Sequence, residues 1–158
     1  MNQFKIRPAR ESDYETVESM TRQLHALDYK GVPGLLKHDP KVILPKSAFL
    51  GVLEGNYETY FVAECLEHVV GLAYVSIAEQ GDATMAKLKE AEIGVLYVDA
   101  AWRRQGVATA LLERVEKWAK SKKADRLVTI VYPYARSAKA LYESINLRPR
   151  SIKLDRSL

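Results

Sequence analysis

The stretch at residues 96–112 (Leu-Tyr-Val-Asp-Ala-Ala-Trp-Arg-Arg-Gln-Gly-Val-Ala-Thr-Ala-Leu-Leu) constrains the fold of this chain more than any other part of it. Its apolar beginning predicts a strand that ends at Val98. A basic turn with Arg103 and Arg104 follows, and an amphipathic helix begins close to Gly106. This order predicts that the strand, the turn and the helix form a cradle for a phosphate group.

The physical reason for this prediction lies in the helix start. The first turn of a helix leaves about four N–H groups without internal partners, and the aligned peptide dipoles place roughly +0.5 charge there. A bound phosphate satisfies both. Small residues let it approach the main chain, and the two arginines add charge-assisted donors. The predicted phosphate-binding residues are Arg103, Arg104, Gln105, Gly106, Val107, Ala108 and Thr109.

Bulk properties are those of an ordinary globular protein. A length of 158 residues predicts a single domain over residues 1–158, and the hydrophobic (47%) and charged (28%) fractions are close to the globular average, so they indicate neither a disordered nor a fibrous chain. No apolar run reaches the roughly 20 residues that cross a bilayer, and the N-terminus lacks the apolar core of a signal peptide. We therefore expect a cytoplasmic protein without a membrane partner. Cys65 is the only cysteine, so no disulfide and no metal site are predicted.

The two parts of the chain carry charges of opposite sign. Residues 1–98 contain 10 Lys and Arg against 14 Asp and Glu, whereas residues 99–158 contain 14 against 6. The basic part suits a polyanionic ligand; the acidic part either favours a cationic ligand or is an ordinary solvated surface. The basic residues between Arg114 and Arg126 leave nucleic-acid binding as an alternative, although they also stabilise the negative end of the helix. No nucleic-acid partner is predicted.

The remaining pattern predicts alternating strands and helices. Predicted strands are 3–9, 58–66, 69–78, 91–98, 125–132 and 148–154, and predicted helices start near residue 12, with a capping box of Ser12 and Glu15, and run to about 26, then 46–53, 107–122 and 135–145. Loops are predicted at 31–45 and 79–90. Strands in series followed by alternating strand and helix imply a mixed sheet with helices on both faces. The strands that end at Val98 and Tyr132 are expected to frame a site.

The residues around the predicted cradle resemble the GNAT superfamily of acetyl-CoA-dependent N-acetyltransferases. The signature of that family is Gln or Arg, two residues, Gly, one residue, then Gly or Ala, and residues 103–108 match every fixed position. The run Ala-Lys-Ala-Leu-Tyr at residues 138–142 is similar to the last conserved helix of the family. The resemblance is specific over about residues 91–152 and covers only the architecture before them.

The resemblance implies an α/β (α+β) fold with a mixed, mostly antiparallel central sheet of about six to seven strands and helices on both faces. It implies that the strands ending at Val98 and Tyr132 splay apart, and that coenzyme A enters between them. The pantetheine arm is then expected to pair with the main chain of Leu96, Tyr97 and Val98. The implied reaction moves the acetyl group of acetyl-CoA directly to a primary amine in a ternary complex, without a metal.

The resemblance also implies two catalytic residues. Tyr142 occupies the position of the family tyrosine that protonates the leaving thiolate, although Tyr142 also completes an apolar stripe with Ala138 and Leu141. Glu92 is the best candidate for the general base, and a solvent-exposed strand residue is the alternative interpretation. The sequence does not choose between Glu92 and the carboxylates of the preceding connection, Glu79, Asp82 and Glu90, which could instead contact the acceptor. Many relatives carry an asparagine where this chain has Ala135, and a Gly-Phe pair where it has Asn146-Leu147; Asn tolerates the left-handed conformation that ends a helix.

Other functions stay open at this stage. A protein of the same fold could bind coenzyme A as a sensor without catalysis. A P-loop nucleotide-binding protein is excluded because no Gly-Lys-Ser or Gly-Lys-Thr occurs in the chain. The acceptor could be a polyamine, an amino-sugar antibiotic, an amino acid or a protein amino group, and exposed sheet edges make a homodimer a further expectation.

Overall fold

The computed structural model describes residues 4–158 and builds one sheet of five strands from them. The strands are β1 (Lys5–Pro8), β2 (Glu58–Cys65), β3 (His68–Gln80), β4 (Leu88–Val98) and β5 (Arg126–Thr129). They lie in the order β1-β2-β3-β4-β5; the first four are antiparallel, and β5 is parallel to β4. The predicted mixed, mostly antiparallel sheet is confirmed, with fewer strands than the six or seven expected.

Four helices cover the sheet on both faces, as predicted. They are α1 (Tyr14–Gly31), α2 (Lys46–Glu54), α3 (Val107–Ser121) and α4 (Arg136–Ser144). Helices α1 and α2 pack on one face around Phe49 and Leu72, and α3 and α4 pack on the other around Phe61 and Leu111. Side chains along each strand pack alternately into these two cores, because neighbouring residues of a strand point to opposite faces.

A bulge in β4 changes this alternation. The pairing with β3 passes from Tyr74↔Val95 to Val75↔Ile93, so Gly94 has no partner across the ladder. Before the bulge Ile93 belongs to the α3 core, and after it Tyr97 belongs to the α1 core. The extra residue therefore changes which residues of β4 face the α3 core: Ala91 and Ile93 before the bulge, Leu96 and Val98 after it.

The predicted final strand at residues 148–154 is wrong. These residues form an irregular, exposed segment in which Ile152 and Leu154 are 83% and 89% exposed. Alternation alone does not make a strand, since each strand needs a partner that supplies its hydrogen bonds. Strand β5 is also shorter than the predicted 125–132, because the chain turns away from β4 after Thr129.

The start and end of α1 differ from prediction as well. The helix continues to Gly31 rather than ending near residue 26. The predicted capping box of Ser12 and Glu15 is wrong: the carboxylate of Asp13 accepts a hydrogen bond from the N–H of Arg10 at 2.7 Å instead. Asp13 sits one residue before α1, and the turn that precedes the helix uses it.

The loop between β3 and β4 is shorter than the predicted 79–90, since only residues 81–87 lie outside the two strands. The carboxylate of Asp82 accepts hydrogen bonds from the N–H groups of Thr84 (2.7 Å) and Met85 (3.0 Å) and shapes this loop. The predicted tight β2–β3 hairpin is confirmed, with Leu66 and Glu67 both at positive φ (47° and 67°). Such a pair of left-handed residues matches the twist of a two-residue hairpin.

An ion network joins β1, β2 and the start of α1. The guanidinium of Arg7 donates to both carboxylate oxygens of Asp13 at 2.7 and 2.9 Å and to Glu64 at 2.5 Å. Lys5 pairs with Glu64 at 2.6 Å. The hydrogen bonds from Lys5 and Arg7 lower the pKa of Glu64, and those from Arg7 and Arg10 lower the pKa of Asp13 against the opposing effect of its burial. The network holds the edge strand in register.

Candidate active site between β4 and β5

The two parallel strands separate, as the resemblance implied. They pair only between residues 90–93 and 126–129, and Ile93↔Thr129 is the last pair. Strand β4 continues for five more residues to Val98, while the chain after Thr129 leaves the sheet. A gap therefore opens beyond the last pair, and main-chain groups of Leu96, Tyr97 and Val98 lie along its β4 side.

The turn after β4 leads directly into α3 and leaves a run of donors. The N–H of Asp99 bonds to the carbonyl of Val70 (3.0 Å), and the first helical bond is donated by Ala110 to the carbonyl of Gly106 (3.0 Å). Within residues 4–158, the N–H groups of residues 104–109 have no protein acceptor. Free N–H groups at a helix start are what the predicted phosphate cradle requires, and binding of an anion there stays a prediction.

Two residues of this turn have left-handed backbone conformations. Gly106, immediately before α3, has φ 83°, and Arg104 has φ 62°. A Cβ at Gly106 would meet no atom within 4 Å, so the space over the turn is open and the backbone conformation is the reason for glycine there. At Arg104 the same conformation costs about 1 kcal/mol, and such strain is concentrated at functional sites.

Most side chains of the turn have structural roles. The Nε of Arg103 donates to the carbonyl of Val98 (2.9 Å), and the Nε2 of Gln105 donates to the carbonyl of Ala101 (2.8 Å). Val107 is 1% exposed and packs in the α3 core, so its side chain does not contact a ligand. Arg104 is exposed and has no side-chain hydrogen bond or ion pair within the part of the chain that the structure describes.

Close packing fixes the start of α3 against the sheet. A Cβ at Gly71 of β3 would lie 2.9 Å from a methyl group of Val107. Ala108 is half-buried beside this contact, and Thr109 is exposed. The absence of a side chain at Gly71 therefore brings the helix start close to the sheet and determines where the free N–H groups lie.

Tyr142 lies beside the narrow end of the gap. Its side chain is 7% exposed in the α3 core, and the hydroxyl of Thr129 donates to the carbonyl of Ile93 (3.0 Å) at the last strand pair. Burial raises the pKa of Tyr142, and the nearby hydroxyl of Thr129 opposes that shift. The phenol therefore holds its proton at neutral pH.

Glu92 lies on the opposite face of the sheet. It is exposed and pairs with Ser76 on β3 and with Val128 on β5, one residue before the narrow end. Tyr142 and Glu92 are thus both close to the last strand pair, but on different faces. Groups on the two faces can act on the same molecule only where the strands separate.

The end of α4 keeps its shape although the Gly-Phe pair is replaced. Asn146 has φ 68°, and the N–H of Leu147 donates to the carbonyl of Tyr142 (3.0 Å). The expectation that asparagine takes the left-handed position is confirmed. Ala135, which stands in the place of the family asparagine, precedes α4 without a side-chain cap.

Sequence reasoning missed the residues on the α1 side of the gap. The hydroxyl of Tyr97 donates to Oε1 of Gln23 (2.7 Å), and the hydroxyl of Tyr134 donates to the carboxylate of Asp28. The only signal in the sequence was the Tyr-Pro-Tyr run at residues 132–134 directly after a strand. A separate cavity of about 860 Å³ is lined by residues including Arg10, Cys65, His68, Asp99 and Trp102, and it includes no residue of the turn at 103–109.

The sequence profile of the acetyltransferase (GNAT) family matches residues 21–146, which include the gap, the turn and both predicted catalytic residues. The chain belongs to this family. No curated protein sequence matches this GNAT acetyltransferase.

Solved structures share the fold of this GNAT acetyltransferase over nearly its whole length. A mutant of the BH1408 protein from Bacillus halodurans has TM-score 0.89 and 24% identity, and the match covers 98% of this chain and 99% of that one. A transcriptional regulator from Bacillus halodurans C-125 has TM-score 0.73 and 20% identity, with 98% and 99% covered. The aminoglycoside N-acetyltransferase AAC(6')-Iy in complex with CoA has TM-score 0.68 and 17% identity, with 98% and 94% covered.

Within residues 4–158, no group of three or more His, Cys, Asp and Glu side chains is arranged to hold a metal ion. None of the helices in the same residues is long and apolar enough to cross a membrane.

Proposed function

We propose that this protein is an N-acetyltransferase that moves the acetyl group of acetyl-CoA to a primary amine of a small molecule or a protein, by direct transfer in a ternary complex. The observation that carries the proposal is the run of free N–H groups at residues 104–109 beside the separated strands. Membership of the GNAT family supports it, as does the fold shared with a CoA-bound aminoglycoside N-acetyltransferase. Bound acetyl-CoA would supply the activated thioester.

Binding of the cosubstrate rests on main-chain groups. The N–H groups of residues 104–109 bind the pyrophosphate, and the exposed guanidinium of Arg104 adds charge. Arg103 contributes charge while its Nε holds the turn to Val98. The main chain of residues 96–98 holds the pantetheine arm along the unpaired side of β4. This division leaves the side chains of Gln105 and Val107 free for structural roles.

The catalytic step needs a neutral amine and a proton for the leaving thiolate. Tyr142 donates that proton, because its raised pKa keeps the phenol protonated at neutral pH. Glu92 accepts a proton from the amine, directly or through water, from the other face of the sheet. Most of the rate enhancement comes from holding the two reactants together, since well-oriented pairs gain about 7 to 11 kcal/mol.

Calorimetric titration of the protein with acetyl-CoA tests the binding half of the proposal. Arg104→Ala is expected to weaken binding about tenfold, because one charge-assisted contact is lost. Lys117→Ala is the matched control: it removes one positive charge from the exposed surface of α3, away from the turn, and is expected to leave binding within about twofold. No heat with acetyl-CoA for the unmodified protein would contradict the proposal.

A sensor that binds coenzyme A without catalysis is the second candidate. The alanine at position 135 favours the sensor, because the asparagine that many family members carry at this position is missing. Release of free thiol from acetyl-CoA in the presence of a panel of primary amines separates the two functions. Turnover with any amine supports the enzyme, whereas tight binding without turnover supports the sensor.

A further inference from the structure

Helix α1 is bonded to both sides of the gap. Tyr97 belongs to β4, and its hydroxyl donates to Gln23. Tyr134 follows β5 by five residues, and its hydroxyl donates to Asp28. The helix thus connects the two diverging segments on the sheet face that also carries Glu92. We call the contact between Tyr134 and the end of α1 the α1 bridge, formed by Asp28, Gly31 and Tyr134.

Gly31 is required for the α1 bridge. A Cβ at this position would overlap the ring of Tyr134. The residue lies within the last turn of α1 and has no positive φ, so the backbone does not require glycine there. Glycine disfavours a helix, and the close approach of the tyrosine ring is the remaining reason for it. Asp28 and Gly31 are three residues apart and share one face of the helix.

The α1 bridge holds a carboxylate whose partner is neutral. Asp28 has no ion pair with Lys, Arg or His within residues 4–158. Burial and the hydrogen bond to Asp28 raise the pKa of Tyr134, so the phenol remains a neutral donor. A carboxylate bonds more strongly to a cation than to a neutral hydroxyl. The ring of Tyr132 stacks on that of Tyr134 with centroids 6.4 Å apart and offers a second surface for a cation.

We infer that the α1 bridge determines acceptor specificity: Asp28 binds a second cationic group of the acceptor, in place of the Tyr134 hydroxyl, while another amine of the same molecule reacts. The inference rests on the proposed function. The reacting amine must be neutral and must lie near Tyr142 and Glu92, whereas Asp28 lies on α1 and is bonded to the segment that follows β5. The acceptor class is therefore an amine that carries at least two basic nitrogens.

The test compares putrescine with n-butylamine, which has the same carbon chain and lacks the second amine. Steady-state thiol release gives kcat and KM for both amines, and calorimetry on the CoA-loaded protein gives their binding. Asp28→Asn is expected to raise KM for putrescine about tenfold with kcat unchanged and to leave n-butylamine within about twofold. Tyr134→Phe is expected to lower KM for putrescine, because Asp28 loses its competing donor.

Gly31→Ala gives an independent perturbation of the same contact. The added methyl group displaces the Tyr134 ring, and the ratio of kcat/KM for the two amines is expected to change by about tenfold. Gly51→Ala is the matched control, because Gly51 is also helical and its added Cβ would meet no atom within 4 Å. This control is expected to leave the ratio unchanged.

An equal change in KM for putrescine and n-butylamine in Asp28→Asn would overturn the inference, since it would show that Asp28 has only a structural role. No preference of the unmodified protein for putrescine, in turnover or in binding to the CoA-loaded form, would overturn it as well. These results leave the proposed function intact if acetyl-CoA binds and any amine is acetylated. Failure to bind acetyl-CoA would overturn the proposed function itself.

Discussion

At the scale of single residues, burial and catalysis compete to explain Tyr142. Its side chain packs in the α3 core, as the apolar stripe of α4 alone would require. Yet its neighbour Thr129 belongs to the last pair of β4 and β5, where the gap begins. A buried tyrosine at the narrow end of a ligand site satisfies both explanations, so only a change that keeps the ring can separate them.

Tyr142→Phe is expected to lower kcat by about 10² to 10⁴, because one general acid is removed while the ring still fills its place. Thiol release under saturating acetyl-CoA and amine measures the effect. Tyr57→Phe, at an exposed tyrosine of the same chemistry, is the control. An unchanged kcat in Tyr142→Phe, with unchanged acetyl-CoA binding, would reduce Tyr142 to a core residue.

At the scale of elements, the contact between β3 and α3 determines the position of the phosphate-binding turn. Gly71 is buried in β3 between Ala63 of β2 and Val98 of β4, where a side chain would normally stabilise the strand. Its place opposite Val107 explains why a side chain is missing. The same contact brings the start of α3, with its free N–H groups, to the end of β4.

Gly71→Ala is expected to lower the free energy of unfolding by about 1 to 3 kcal/mol, since the added methyl group would lie 2.9 Å from Val107. Urea denaturation measures the change. Gly51→Ala, in open space on α2, is expected to raise the free energy of unfolding by up to about 1 kcal/mol. An unchanged free energy of unfolding in Gly71→Ala would show that α3 shifts easily to make room for the methyl group. Acetyl-CoA binding would then be expected to weaken, because the free N–H groups at the start of α3 would move with the helix.

The Arg7 network predicts how the edge of the sheet responds to acid. The pKa values of Asp13 and Glu64 are lowered in the folded protein, so their contribution to stability is present above their ordinary values near pH 4. It is lost as the pH falls through their folded values. The stability difference between the unmodified protein and Arg7→Gln is therefore expected to be constant above about pH 5 and to shrink below it, as the pH falls towards the folded pKa values. Urea midpoints at several pH values measure it, and a difference that grows in acid would contradict this assignment.

At the scale of the whole molecule, the uneven charge distribution predicts the salt dependence of ligand binding. The basic residues lie in the part of the chain that contains the turn and α3. Because salt screens exposed charges over about 10 Å at 0.1 M, acetyl-CoA binding is expected to weaken as salt increases. Arg104→Ala is expected to reduce the slope, measured by calorimetry at several NaCl concentrations. A Kd independent of salt would assign the binding to the main-chain N–H groups alone.

Features that depend on neighbouring residues could be predicted from the sequence, whereas features that depend on residues far apart in the chain could not. The turn at residues 103–108 and the left-handed Asn146 depend on local backbone geometry, and both were predicted. The bond between Tyr134 and Asp28 joins residues 106 positions apart, and no local pattern contains it. The strand predicted at 148–154 failed for the related reason that an alternating pattern specifies a face but not a partner.

The bulge at Gly94 shifts by one residue the alternation of side chains along β4. Upstream of it, Ile93 belongs to the α3 layer, and downstream Tyr97 reaches α1. Deleting Gly94 would restore an uninterrupted ladder with β3 and would leave every downstream side chain in its layer, because the neighbouring pairs Val75↔Ile93 and Tyr74↔Val95 already skip it. Tyr97 would then keep its bond to Gln23. Deleting a paired residue downstream of the bulge, such as Leu96, would instead turn Tyr97 towards the α3 layer.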